Sequence, residues 1–205
     1  YISGGIFYEY YCPDDGIDYS SRNYYTCYTG YTLINQNTCI SCETNCYSCS
    51  YDPPTTKCNI CKSGYVITPS KTCIPYPYYC HYAYYDTVSG AAKCSQCNSG
   101  YVLTNSKSCI PYPSYCSSAY YDTSSGTAKC SQCYSGYVLT NTKLCINCPT
   151  NCYSCYFDTS SNSGKCQICK DGYGLNLNGE CISCGGNCKN CHLDSNSNKI
   201  CIDWL

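Results

Sequence analysis

Short runs of β-forming residues, bounded by glycine on one side and small polar residues on the other, recur along this chain. The clearest is Tyr101-Val102-Leu103, which follows Gly100 and precedes Thr104-Asn105-Ser106. Aromatic and branched residues favour strand, Thr-Asn-Ser favours turn, and glycine supplies a backbone conformation that other residues adopt at a cost. The pattern predicts a β-hairpin. It occurs five times, each time between two cysteines at the same separation: Cys27 and Cys39, Cys61 and Cys73, Cys97 and Cys109, Cys133 and Cys145, Cys169 and Cys181. A Gly-Tyr pair, such as Gly64-Tyr65 or Gly136-Tyr137, opens the apolar run in every copy. Each copy reads as a hairpin stapled by its own disulfide, and the remaining segments read as links between hairpins.

The hairpins open at residues 27, 61, 97, 133 and 169, a period of 34 and then 36. Such a period marks a tandem array. Two kinds of repeat follow it, in the order six-, four-, four- and six-cysteine. Residues 42–73 and 146–181 carry six cysteines and share TNCYSC (44–49 and 150–155). Residues 74–109 and 110–145 carry four and differ at only 8 of 36 places. Partial modules, 1–41 and 182–205, flank these four.

Composition makes this a disulfide scaffold. The chain has 205 residues and 27 cysteines, and much of its 43% hydrophobic content is cysteine and tyrosine. A single aliphatic core is not expected; small crosslinked modules are the physical alternative. A bridge closing a loop of about a dozen residues contributes roughly 3 kcal/mol in the chain-entropy treatment. So many cysteines point to an oxidising compartment. The absence of a signal peptide and of any Met then reads as a processed or partial chain.

The two repeat types suggest the pairing. Cys42 and Cys49, Cys148 and Cys155, and Cys184 and Cys191 have no counterpart in the four-cysteine repeats, where Tyr76 and Ala83, or Tyr112 and Ala119, stand instead. Cysteines absent together are most simply bonded together, since losing one would leave a reactive thiol. This gives Cys42–Cys49, Cys148–Cys155 and Cys184–Cys191. With the hairpin staples set aside, the remainder pair as Cys46–Cys58, Cys80–Cys94, Cys116–Cys130, Cys152–Cys166 and Cys188–Cys201. Cys12 is left over, for an intermolecular bond or for a partner on further sequence.

A six-cysteine unit paired first-to-third, second-to-fourth and fifth-to-sixth, ending in C-x-x-G-Y, resembles the EGF-like module. The resemblance covers 42–73 and 148–181, and also 80–109 and 116–145 with one bridge missing, although the Tyr47-Ser48 gap is short for that family. The C-x-x-C rhythm is also similar to furin-like, growth-factor-receptor repeats, which imply an interleaved pairing instead, Cys58–Cys73 with Cys61–Cys80. Both pairings remain open, although Trp204, standing where a further hairpin would start, leaves Cys201 to pair backward. Composition and repeat style together resemble the Cys-, Tyr- and Asn-rich extracellular proteins of ciliated protozoa, including surface coat antigens.

Other chemistry finds little support. Zinc would have C-x-x-C pairs at Cys130/Cys133 with Cys145/Cys148 and at Cys166/Cys169 with Cys181/Cys184, but Tyr76 and Tyr112 occupy the fourth position elsewhere. The positions before the first cysteines, such as Ile40-Ser41 and Ile146-Asn147, are too poor in acidic residues for calcium. The two histidines, His81 and His192, belong to no repeated site, so neither catalysis nor a cofactor is expected. Net charge is −1 with 12% charged residues, which does not suit nucleic acid. No apolar run approaches the roughly 18 residues of a membrane span.

The chain has 28 tyrosines. Those of PYPYY and AYYDT (Tyr76, Tyr78, Tyr79, Tyr84, Tyr85) and of the sister repeat (Tyr112, Tyr115, Tyr120, Tyr121) fall where a bridge is missing. Aromatic packing and proline stiffness replace that bridge, or the tyrosines form an exposed face for other surfaces. The sequence predicts a small disulfide-rich β fold, an extended rod of EGF-like modules. Its expected role is extracellular and structural: a coat or filament subunit that self-associates, with O-linked sugar possible on loops such as 158–164. The alternative is an adhesion or receptor-type ectodomain that binds a protein or glycan.

Overall fold

A computed structural model describes residues 17–18, 26–35, 38–194 and 198–204. Among these residues the chain is all β, built of eleven two-stranded antiparallel sheets, each joined to no other.

Two kinds of hairpin alternate. The short ones are the stapled C-x-x-G-Y units: Tyr65–Ile67 with Cys73–Pro75, Tyr101–Leu103 with Cys109–Pro111, Tyr137–Leu139 with Cys145–Asn147, and Tyr173–Leu175 with Cys181–Ser183. A longer-stranded relative joins Tyr31–Asn35 to Thr38–Ser41. Gly100 and Gly136 enter them at φ 84°, with no atom within 4 Å of a would-be Cβ, so backbone conformation alone selects glycine there. Each such glycine carbonyl then accepts the N–H of the residue leaving the hairpin: Tyr76 to Gly64, Tyr112 to Gly100 and Cys148 to Gly136, all at 2.8 Å.

The segments between the staples are not mere links. They form the longer hairpins, with seven-residue strands such as Cys46–Asp52 with Thr55–Cys61 and Cys116–Asp122 with Thr127–Cys133. A register shift after Cys46 and after Cys116 marks a bulge in each. Cysteine and tyrosine occupy both faces of these strands, which hides the period-two alternation that betrays a strand in sequence.

The core is sulfur. Among the described residues every buried apolar side chain is a cysteine, and Cys46, Cys58, Cys94, Cys130 and Cys166 are the largest wholly buried side chains. The staple of a short hairpin rests on the bridge of the long hairpin before it. Sulfur–sulfur contacts of 3.3 Å join Cys58 to Cys73 and Cys130 to Cys145, and one of 3.2 Å joins Cys166 to Cys181.

The chain divides into two compact units, Tyr1–Gln96 and Cys97–Leu205. Both follow one packing rule, in which a short hairpin lies on the first strand of the next long hairpin. In the first unit Tyr65–Ile67 packs on Cys80–Asp86. In the second, Tyr137–Leu139 packs on Cys152–Asp158 and Tyr173–Leu175 on Cys188–Leu193.

The last of these contacts is the tightest. Gly174 stands where Val66, Val102 and Val138 stand in the three copies before it, and a Cβ there would fall 2.6 Å from the Cys191 sulfur. Gly174→Val should therefore lift residues 188–204 off their hairpin, at a cost of about 1–3 kcal/mol. Hydrogen exchange would read this as faster exchange at 188–204, with 101–147 unchanged.

Candidate interaction surface

The structure joins the cysteines within modules. The hairpin staples are Cys27–Cys39, Cys61–Cys73, Cys97–Cys109, Cys133–Cys145 and Cys169–Cys181. The long hairpins are bridged by Cys46–Cys58, Cys80–Cys94, Cys116–Cys130, Cys152–Cys166 and Cys188–Cys201. The third class is Cys42–Cys49, Cys148–Cys155 and Cys184–Cys191. Cys12 lies outside the described residues. The interleaved partners Cys58 and Cys73 touch but belong to separate bridges. The sulfurs weighed as zinc ligands are likewise taken up in bridges, with Cys130 bound to Cys116, Cys145 to Cys133 and Cys148 to Cys155.

Where the third bridge is missing, one strained position changes its residue. The residue before the first cysteine of the long hairpin sits at positive φ: Asn45 and Asn151 in six-cysteine modules, Tyr79 and Tyr115 in four-cysteine modules. Asparagine tolerates that conformation better than tyrosine. Tyr115 gains a compensating contact, a parallel stack on Tyr137 at 4.3 Å with 13° between the rings. Such a pair contributes about 0.5–1.5 kcal/mol beyond burial. Part of the lost bridge is thus replaced by aromatic packing.

The nine tyrosines singled out in the four-cysteine repeats do not share one face. Neighbours in a strand point to opposite sides of a hairpin. Tyr84 and Tyr120 are exposed, whereas Tyr85 and Tyr121 are half-buried and lean over the turn that follows them. Tyr76 and Tyr112 are half-buried too, and Tyr78, Tyr79 and Tyr115 are exposed, Tyr78 at 89%.

The exposed apolar surface also extends beyond the tyrosines singled out in the sequence. Tyr156 takes the place of Tyr84 and Tyr120 in the next long hairpin and is exposed as they are. Tyr120 pairs across its strands with Lys129, and Tyr156 with Lys165. Ile60 and Ile168, each before the cysteine that opens a short hairpin, are more than half exposed. The Ile-Cys of six-cysteine modules, against Gln-Cys at 96 and 132, is the signal that marks them.

The turns of the long hairpins carry the perturbed carboxylates. Asp122 accepts the Ser124 hydroxyl at 2.7 Å, the Ser125 hydroxyl at 2.7 Å and the Ser124 N–H at 3.1 Å, and its pKa is held down at about 2. Asp158 does the same with Ser160 and Ser161, also reaching about 2. Asp86 is lowered by the Ser89 hydroxyl, the Val88 N–H and the Lys93 charge, but Val88 has no hydroxyl to give. These are turn-forming hydrogen bonds on open surface.

No protein-family model matches the chain, and no curated protein matches it. No helix among the described residues is long and apolar enough to cross a membrane.

The folded values of Asp122 and Asp158 lie below the ordinary 3.8. Their stabilisation of the turns is therefore present above that ordinary value and is lost as pH falls through about 2. Side-chain carboxyl NMR titration should place both midpoints near 2 and that of Asp86 above them. Val88→Ser should lower the Asp86 midpoint, and an unmoved midpoint would contradict the role given to the hydroxyl.

Proposed function

We propose that this is an extracellular structural protein, a repeat subunit of a coat or filament held together through its exposed aromatic residues. The observation that carries this reading is the recurrence of Tyr84, Tyr120 and Tyr156, solvent-facing at the same place in successive long hairpins. A contact made by one repeat is available to the next, and a repeated contact that does not close by rotation builds an open assembly. Burying tyrosine is favourable because the ring leaves water while the hydroxyl keeps a partner. Low charge removes the repulsion that would keep copies apart.

Thirteen crosslinks support an oxidising, extracellular setting. The first-to-third, second-to-fourth, fifth-to-sixth order of bridges in 42–73 supports placing its modules in the EGF-like class. The bridged cysteines and the shallow hairpin surfaces favour a scaffold over a catalyst.

Sedimentation velocity under non-reducing conditions tests the proposal. The chain should self-associate with rising concentration, and the triple change Tyr84→Ser, Tyr120→Ser, Tyr156→Ser should leave a monomer. An unaltered chain that stays monomeric at the highest concentration would overturn it.

A further inference from the structure

Two adjoining modules, 110–145 and 146–181, depart from the preceding copies where they meet, and the departures converge on one place. A groove of about 320 Å³ lies between the turn of the short hairpin at 140–144 and the turn of the next long hairpin at 157–162. Four of its lining residues are changed relative to the two preceding copies. Thr142 stands where Ser70 and Ser106 stand. Leu144 stands where Thr72 and Ser108 stand, Phe157 where Tyr85 and Tyr121 stand, and Asn162 where Gly90 and Gly126 stand.

The changes at 157 and 162 are physically coupled. In the sister modules the Tyr85 hydroxyl lies 3.9 Å, and the Tyr121 hydroxyl 4.0 Å, from where a Cβ on Gly90 or Gly126 would fall. Those hydroxyls fill the space beside the turn. Phe157 has none, so the space opens and Asn162 takes part of it. Asn162 keeps the left-handed backbone of those glycines, φ 51° against 68°. A side chain at such a position carries a conformational cost that glycine avoids, so what it gains comes from its amide.

We infer that this groove binds a neutral saccharide. Leu144, Ile146 and Phe157 supply apolar lining for the C–H face of a sugar ring. Thr142 and Thr159 at the rim offer hydroxyls, and Asn141 and Asn162 offer amides, the groups that pair with ring hydroxyls. None of the lining residues is charged, which disfavours phosphate, sulfate or carboxylate ligands. The volume lies at the lower end of the roughly 300–1,000 Å³ of small-molecule sites, enough for one or two sugar units. An equivalent groove one module on, of about 400 Å³, has Leu193 in place of the aromatic ring and a carboxylate, Asp194, at its edge. It is the less suited of the two. This inference is independent of the assembly proposed above, because it uses the residues in which repeats differ rather than those they share.

Amide-resolved NMR titration of the intact chain with cellotriose and chitotriose tests it, with a sulfated disaccharide as the charged comparison. Binding in the millimolar range should move amides at 140–146 and 157–162 and leave their counterparts at 104–110 and 121–126 in place. The double change Phe157→Tyr, Asn162→Gly restores a combination that folds in the sister modules. It should weaken binding by at least about tenfold. Leu144→Ser should weaken it with the rest of the spectrum unchanged. The inference is overturned if neither neutral sugar moves these amides, if only the sulfated sugar does, or if the double variant binds as well as the parent.

Discussion

The buried cystine is the interaction on which the rest of this structure depends. Two-stranded hairpins are marginal in water, because so small a sheet buries too little apolar surface to offset the ordering of its backbone. Here each long hairpin is bridged across its strands, each short hairpin is tied back to the end of the strand before it, and the sulfurs of one bridge rest on those of the next. Cys58, Cys94 and Cys130 have no accessible surface at all, while no aliphatic side chain among the described residues is buried to that degree. The bridges supply what core there is and also limit the unfolded chain.

This arrangement explains why surface and scaffold vary independently. Sulfur and backbone fix the hairpin geometry, so tyrosine, serine, isoleucine or glutamine can stand outside without disturbing it. In residues 110–145 the stack of Tyr115 on Tyr137 replaces part of a lost bridge. Where a side chain does face a neighbouring module, latitude vanishes. Gly174 against Cys191 is that case.

The short hairpins were legible in the sequence because their signals are local: two cysteines, a glycine forced to positive φ, three β-formers and a Thr-Asn-Ser turn. The long hairpins were not. Their strands, such as CYSCSYD, put cysteine and tyrosine on both faces, so the segments between the staples read only as links. The tyrosines were visible as a composition but not as a surface. Tyr84 and Tyr85 look equivalent in a string and lie on opposite sides of a strand. Tyr156 lies outside the four-cysteine repeats and so escaped notice. The groove at Phe157 was hidden for another reason, since its residues are ordinary one by one and only their meeting across two turns gives them meaning.

Complete reduction and alkylation of the cysteines, followed by amide hydrogen exchange, tests the cystine core most directly. If sulfur is the core, protection should vanish across 38–194 and the amide spectrum should collapse to that of an unfolded chain. Persistent protection in the long hairpins of the alkylated chain would mean that tyrosine packing or backbone pairing holds them without the bridges, and would contradict the account.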